Sequence, residues 1–284
     1  MWNIFKNQKD KPLLVIIAVY QVIMMVMLIL FFSKIENSLL WLIFHVTVLA
    51  FLLWDRSAYL NRIKKWSVIV LIPLNFTELH YLVHTVHPID YDNLLIQIDR
   101  FMFGTDPTIW MEQFTNPYVT EFLQIIYSTF YFLPIGLGII LAKKKQENDL
   151  NFLIFQIVYG FYLSYIGYFI LPAIGPRFTL DHLQSFPLTG VWLANDIQIL
   201  LNTLENSQRD AFPSGHTAMT LLTLYYAQKY HRPYFNFMIP VTSLMLISTV
   251  YLRYHYVIDV FAGIGLFYFT VVSGKYLYKY LQKE

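Results

Sequence analysis

Long apolar runs alternate with short polar connections along almost the whole chain. Each run approaches the roughly 20 apolar residues that a helix needs to cross the hydrocarbon core of a bilayer. The pattern therefore predicts an all-α integral membrane protein with about eight transmembrane helices. The second and sixth runs are short, and the pattern defines their ends poorly. The predicted spans cover residues 12–32, 39–54, 67–86, 119–142, 150–171, 215–229, 234–252 and 256–277.

The distribution of lysine and arginine predicts how these helices are oriented, because basic residues favour the cytoplasmic ends of membrane helices. Loops 55–66, 143–149 and 229–233 are basic, as is the C-terminal end. Loop 87–118 instead carries five acidic residues against one arginine. We therefore expect both termini in the cytoplasm and loop 172–213 on the outer side. The first run follows three lysines without a cleavage pattern, which predicts a retained signal anchor.

Loop 87–118 also contains apolar residues at helical spacing. This spacing is typical of an amphipathic segment that lies on the membrane surface. We expect the segment to lie on the membrane beside the functional site. The residues that form the apolar pattern are Leu94, Leu95, Ile98, Phe101 and Met102.

Composition narrows the class of protein. Only 13% of the residues are charged, about half of the quarter that is typical of soluble domains. The net charge of +2 and the lack of a dense basic cluster argue against nucleic-acid binding. The absence of cysteine excludes disulfides, cysteine-ligated zinc, iron–sulfur clusters and thiol catalysis. The expected partners are the lipid bilayer and a lipid substrate, with no obligate protein partner.

His255 and Asp259 stand four residues apart at the start of the last span, so they share one helix face. The carboxylate can accept a hydrogen bond from one imidazole nitrogen, which leaves the other as nucleophile or base. An unpaired carboxylate is costly inside an apolar helix, so we expect a nearby partner. The alternative is a structural His–Asp pair that holds two helices together.

The stretch "PSGH", residues 213–216, opens the sixth predicted span. Proline suits the first turn of a helix, where the backbone N–H groups lack helical partners and attract an anion. Ser214 adds a hydroxyl group, and Gly215 allows a ligand to approach the backbone closely. His216 can protonate a leaving oxygen. The alternative is a helix cap followed by an interfacial histidine.

Arg177 and Arg253 lie in the predicted outer connections. Guanidinium groups match the geometry of phosphoryl oxygens, although an arginine near a membrane surface can also simply extend its charged end to water. Two histidines, an aspartate, two arginines and an anion-binding helix start on one face together predict covalent phosphoryl transfer without a metal or cofactor.

These segments resemble the signature motifs of the type 2 phosphatidic acid phosphatase superfamily, whose lipid phosphate phosphatases share a site with vanadium haloperoxidases. "PSGH" matches the second motif, and "HYVIDVFAG", residues 255–263, matches the end of the third. Residues 98–107 resemble an interfacial segment found in some members. The resemblance implies a six-helix phosphatase-type core within residues 61–284, preceded by two extra transmembrane helices within residues 1–60.

Two motifs depart from the family pattern. The first motif places a lysine seven residues before its arginine, whereas Ile170 stands seven residues before Arg177. The third motif usually has an arginine six residues before its histidine, where this chain has Thr249. Arg253 and Arg209 are the candidates to replace these cations. This pattern looks closest to the branch with aureobasidin-sensitive inositol phosphorylceramide synthases.

The resemblance implies that His255 attacks phosphorus, with Asp259 holding its ring, while His216 protonates the departing alkoxide and then activates the acceptor. The leading function is a lipid-phosphate phosphatase at the extracytoplasmic face of, we expect, a bacterial cytoplasmic membrane. The alternatives are a phospholipid headgroup phosphotransferase and, less favoured, a proton-coupled transporter. The groups expected to bind the phosphate are Arg177, Ser214, the Gly215 N–H, Arg253 and Arg209.

Glu78, His80 and His84 lie near the outer end of the third predicted span. His80 and His84 are four residues apart, a spacing that can bind a metal ion. Packing at the membrane interface is a second interpretation. Contact between Glu78 or His80 and a substrate headgroup is favoured over a metal site.

Overall fold

The computed structural model describes residues 10–54, 63–205 and 209–283. Within these ranges the chain forms helices and connecting turns, with no strand. The longer helices are α1 (Lys11–Leu30), α2 (Ser38–Leu53), α3 (Val68–Val86), α4 (Asp92–Phe103), α5 (Pro117–Ser128), α6 (Phe132–Lys143), α7 (Glu147–Ile170), α8 (Ala194–Glu205), α9 (Gly215–Tyr230), α10 (Arg232–Tyr251) and α11 (Val257–Lys283). Short helical turns occur at Phe32–Lys34, Pro107–Trp110, Met111–Phe114, Thr129–Tyr131, Pro176–Thr179 and Asp181–Leu183.

Six helical stretches in the described part of the chain are long and apolar enough to cross a membrane. They are α1, α3, α7, α10, α11 and the continuous stretch Pro117–Lys143, which contains α5 and α6. The prediction of an all-helical membrane protein is therefore confirmed. Helices α2 and α9 have 16 residues each, fewer than the roughly 20 that a full crossing needs. The total of eight spans stays a prediction.

The orientation depends partly on basic residues that the structure does not describe. Lys6, Lys9, Arg56 and Arg62 lie outside the described residues. The side of the membrane on which each loop lies, and the boundary between residues 1–60 and 61–284, also stay predictions.

Helix α7 lies at the centre of the helical packing. It contacts α1, α3, α6, α9 and α11, while α9 packs against α10 and α11. Gly263 permits the close approach of α11 to α9, because a Cβ atom there would lie 2.6 Å from the carbonyl oxygen of Ser214. Small residues at helix crossings serve this purpose in membrane proteins. The crossing brings the first turn of α9 next to the first turn of α11.

A buried polar network joins the N-terminal helices to the rest of the protein. Nε2 of His45 in α2 lies 2.7 Å from Oε1 of Glu78 in α3, and both side chains are fully buried. Nδ1 of His45 contacts Gln21 in α1, and Gln21 donates to Asn75 in α3. Asn75 in turn donates to Tyr162 in α7. The expected contact of Glu78 with a headgroup is therefore wrong, because its carboxylate lies inside the helix bundle.

His80 and His84 are exposed on the surface of α3. Among the described residues, no group of three or more histidine, aspartate and glutamate side chains is arranged to hold a metal ion. The metal-site interpretation of these histidines therefore has no support from the geometry.

Candidate active site

His216 and His255 face each other at the junction of α9 and α11. The centroids of their rings are 5.8 Å apart. His216 belongs to the first turn of α9, and His255 lies in the connection between α10 and α11. The structure thus brings together two histidines that are 39 positions apart in the sequence.

The proton of His255 can be assigned from its hydrogen bonds. Nδ1 lies 2.7 Å from the carbonyl oxygen of Ala211, and a carbonyl oxygen can only accept. Nδ1–H is therefore the donor, and Nε2 carries the lone pair. Burial lowers the pKa of His255, while the charge of Asp210 and the bond to Ala211 act in the opposite direction. The net lowering favours the neutral ring that a nucleophile requires.

Asp259 has two contacts close to His255. Its Oδ2 accepts a hydrogen bond of 2.8 Å from the N–H of Tyr256, and the same oxygen lies 3.5 Å from Nδ1 of His255. The expected partner of the buried carboxylate is thus a backbone N–H at the start of α11. Ala211, rather than Asp259, is the closer partner of the His255 ring, and a backbone carbonyl leaves no motif in the sequence.

His216 is held between aromatic rings. Tyr127 of α5 stacks on it with centroids 4.4 Å apart, and Phe130 packs 4.2 Å away. Nδ1 of His216 lies 3.3 Å from the hydroxyl of Tyr127. Nε2 is buried and has no hydrogen-bond partner among the described residues, so it is the nitrogen available to a ligand. No sequence motif marks Tyr127 or Phe130.

Ser214 and Gly215 shape the start of α9. The Ser214 Oγ accepts a hydrogen bond of 3.2 Å from the N–H of Thr217, which makes Ser214 the helix cap. A Cβ atom at Gly215 would lie 2.9 Å from the hydroxyl of Tyr168 and 3.1 Å from that of Ser164. The close approach of α7 therefore favours glycine here, and the ligand access predicted for Gly215 stays a prediction.

Arg177 lies in the turn Pro176–Thr179, beside the aromatic groups of the site. Its guanidinium carbon is 4.7 Å from the ring of Phe178 and 4.8 Å from the ring of Tyr254. Tyr254 stacks on Tyr127 at 4.4 Å, and Tyr127 stacks on His216. A continuous stack thus connects this arginine with the histidine pair.

Arg253 and Arg209 have carboxylate partners. Arg253 is buried, has a φ of 63°, and forms an ion pair of 2.7 Å with Glu112. It also donates to Gln184 and to the carbonyl of Phe186. Arg209 donates two hydrogen bonds, of 2.7 and 3.1 Å, to Asp90. These contacts hold together loops that are distant in the sequence, and the phosphate-binding roles of both arginines stay predictions.

Two carboxylates of α4 hold the backbone on both sides of the site. Asp92 accepts hydrogen bonds from the N–H groups of Ile174 and Gly175, at 3.0 and 2.8 Å, and from the Tyr256 hydroxyl, at 2.8 Å. Asp99 accepts from the N–H groups at the start of α11, Val257 and Ile258, both at 2.9 Å. Sequence reasoning placed this segment beside the site and missed both contacts.

Comparison with known proteins identifies the family. A family model described as the PAP2 superfamily matches residues 93–272, which is well over half of the chain. The chain belongs to the PAP2 superfamily. The match begins in α4 and includes both histidines, Arg177 and Asp259. Membership of this superfamily, together with the apolar helices, indicates a multi-pass membrane protein.

This PAP2 chain also resembles a PA-phosphatase related-family protein from Dictyostelium discoideum. The two are 26% identical over 184 residues, which cover 57% of this chain and 33% of the relative. The chain thus spans about a third of the length of that relative. No solved structure matches this chain.

Proposed function

We propose that the protein is a membrane lipid-phosphate phosphatase that acts through a phosphohistidine on His255. The observation that carries this proposal is the short bond from His255 Nδ1–H to Ala211, because it leaves Nε2 as a nucleophilic lone pair opposite His216. A histidine held in this tautomer and facing a second histidine is suited to two-step phosphoryl transfer.

In the first step, Nε2 of His255 attacks the phosphorus and the bond to the lipid alkoxide breaks. The hydroxyl of Tyr127 accepts a hydrogen bond from Nδ1–H of the protonated His216 ring, which places the second proton of the ring on Nε2. His216 then gives this proton to the leaving oxygen. Arg177 and the N-terminus of α9 stabilise the charge that develops on the phosphoryl oxygens.

In the second step, His216 accepts a proton from water, the water oxygen attacks phosphorus, and the bond between phosphorus and nitrogen breaks. Phosphate leaves and both histidines return to their starting states. Ala211 and Asp259 stabilise the positive ring of the phosphorylated intermediate. We place this chemistry at the extracytoplasmic face, with both termini in the cytoplasm.

Headgroup transfer to a lipid alcohol is the second candidate. Two positions that carry cations in the family motifs are uncharged here. Ile170 is exposed, and Thr249 is buried with its hydroxyl donating to Leu246. This departure, and the resemblance to inositol phosphorylceramide synthases, support a transferase in which an alcohol replaces water in the second step.

Substitution of His255 by alanine tests the phosphohistidine scheme. We expect phosphate release from phosphatidic acid by the purified protein to be abolished, and wild-type activity to persist in a metal chelator. His84→Ala, which changes an exposed histidine on α3, serves as the matched control. Retained turnover in His255→Ala contradicts the scheme. Analysis of the products with a lipid alcohol present distinguishes free phosphate from a new headgroup-bearing lipid.

A further inference from the structure

An apolar cavity of about 270 Å³ lies between α3, α6 and α7. Helices α3 and α6 each pack against α7, and the cavity occupies the gap between them. Almost all of its lining is apolar. Residues that line it include Ile69, Ile72, Pro134, Gly138, Ile154 and Ile157. The cavity is nearly twice the roughly 150 Å³ that holds a benzene molecule in an engineered protein cavity.

Phe130 lies between this cavity and the active site. Its ring lines the cavity and also packs 4.2 Å from the ring of His216. From Phe130, the cavity extends along α7 between Phe161 and Leu153. The eight residue steps between Leu153 and Phe161 correspond to about 12 Å along the helix axis. The cavity therefore begins one aromatic ring away from His216 and extends between helices that are candidate membrane spans.

The chemistry of the leaving group indicates what occupies the cavity. His216 protonates the oxygen that departs from phosphorus, so the carbon attached to that oxygen must lie next to His216. In a lipid phosphate this carbon belongs to the lipid alcohol, whether the final acceptor is water or another alcohol. An apolar lining offers a phosphate or a sugar no hydrogen bonds but stabilises a hydrocarbon chain.

We propose that the α3/α6/α7 cavity binds one hydrocarbon chain of the lipid alcohol that leaves from phosphorus. This proposal rests on the proposed function, because it uses His216 as the acid for the leaving group. The cavity makes the enzyme selective for phosphates that carry a long chain over phosphates that carry none.

Gly138→Leu tests the proposal by filling the cavity. A Cβ atom at position 138 would meet its nearest neighbour, a methyl group of Leu150, at 3.8 Å, so the backbone accepts a side chain there. We expect the KM for dipalmitoyl phosphatidic acid to rise about tenfold or more, with nitrophenyl phosphate hydrolysis little changed. Ile139→Trp, on the exposed face of the same helix, is the matched control and should leave both substrates unaffected.

Ile157→Trp fills the same cavity from α7. It provides a second test of the proposal if Gly138→Leu does not fold. A long-chain KM that is unchanged in either variant, with nitrophenyl phosphate hydrolysis intact, overturns the proposal. If Gly138→Leu loses both activities, Ile157→Trp decides by the same comparison. Failure of the wild type to hydrolyse either substrate, or retained turnover in His255→Ala, instead contradicts the proposed function.

Photolabelling provides a measurement on the unmodified protein. A phosphatidic acid with a diazirine near the end of one chain should label the segment 153–161 of α7, and excess dipalmitoyl phosphatidic acid should remove that label. Labelling confined to other helices overturns the proposal even if the kinetic variants behave as expected.

Discussion

The hydroxyl of Tyr127 is the polar partner of Nδ1 of His216. It lies 3.3 Å from Nδ1, while Nε2 is buried without a partner among the described residues. In the proposed mechanism a phenol that accepts from Nδ1–H leaves Nε2 to give its proton to the departing oxygen and then to accept one from water. The aromatic stack fixes the plane of the ring, and the hydroxyl fixes its tautomer.

Tyr127→Phe should remove the tautomer control and keep the stack. A neutral hydrogen bond contributes about 0.5–1.5 kcal/mol, so we expect kcat for an alkyl phosphate to fall by roughly threefold to tenfold. Nitrophenyl phosphate needs no protonated leaving group, so its kcat should fall less. Tyr254→Phe, which keeps the neighbouring ring, is the control. Equal losses for the two substrates would refute this role of Tyr127.

The acidic side of the pH profile should depend on Asp210. Attack requires neutral His255, and burial lowers the pKa of this ring below its usual value of about 6.5. Activity should therefore persist below that pH and fall as His255 gains a proton. The negative charge of Asp210 raises the pKa of His255, so Asp210→Asn should move the acidic limb of kcat/KM to lower pH. A limb that stays in place, or that moves to higher pH, contradicts this assignment.

Sequence reasoning identified the residues with unusual chemistry and missed the residues that hold them. His216, His255 and Asp259 form short motifs whose spacing follows from helix geometry. Ala211 acts through its backbone, and Tyr127 is one of 22 tyrosines, so neither is distinguished by residue type. Arg253 and Arg209 could be recognised as cations, but their ion pairs depend on loops that meet only after folding.

At the level of elements, α4 positions the site with its buried face. Asp92, Leu95, Ile96 and Asp99 are buried on this face, while Phe101 is 91% exposed. Periodicity predicted an amphipathic helix correctly. It did not predict that the face packed on the protein carries two carboxylates. Asp92 and Asp99 accept hydrogen bonds from backbone N–H groups that are distant in the sequence, so periodicity within the segment does not reveal them. Burial raises the pKa of Asp99, although its two backbone hydrogen bonds act against this rise.

Asp92→Ala should destabilise the protein and reduce its activity. The substitution leaves two backbone N–H groups and the Tyr256 hydroxyl without their acceptor, and a buried unsatisfied group costs about 1–3 kcal/mol. We expect a lower Tm in thermal unfolding of the purified protein and slower phosphate release. Asp106→Ala breaks an ion pair with half-exposed Arg100 and should cost less than about 1 kcal/mol. Equal stability of the two variants contradicts the role of the α4 carboxylates in holding the backbone on both sides of the site.

At the level of the whole molecule, hydropathy predicted the helices more reliably than the connections between them. The predicted run 119–142 proves to be two helices joined by the turn Thr129–Tyr131. Both halves are apolar, so composition does not reveal the break that places Phe130 between His216 and the cavity. The buried polar network of α1, α2, α3 and α7 could not be predicted either, because each of its polar residues is isolated within an apolar run of sequence.

That network should stabilise the attachment of the N-terminal helices without taking part in catalysis. His45 and Glu78 are fully buried and hydrogen-bonded to each other, and a buried polar group that loses its partner costs about 1–3 kcal/mol. Glu78→Ala should therefore lower the Tm strongly, whereas the double variant His45→Leu/Glu78→Met should recover much of the loss. At temperatures below the unfolding transition, the kcat of both variants should match that of the wild type, because the network shares no residue with the histidine site. A large loss of kcat in the stable double variant would instead tie the network to the reaction, as a proton-coupled function requires.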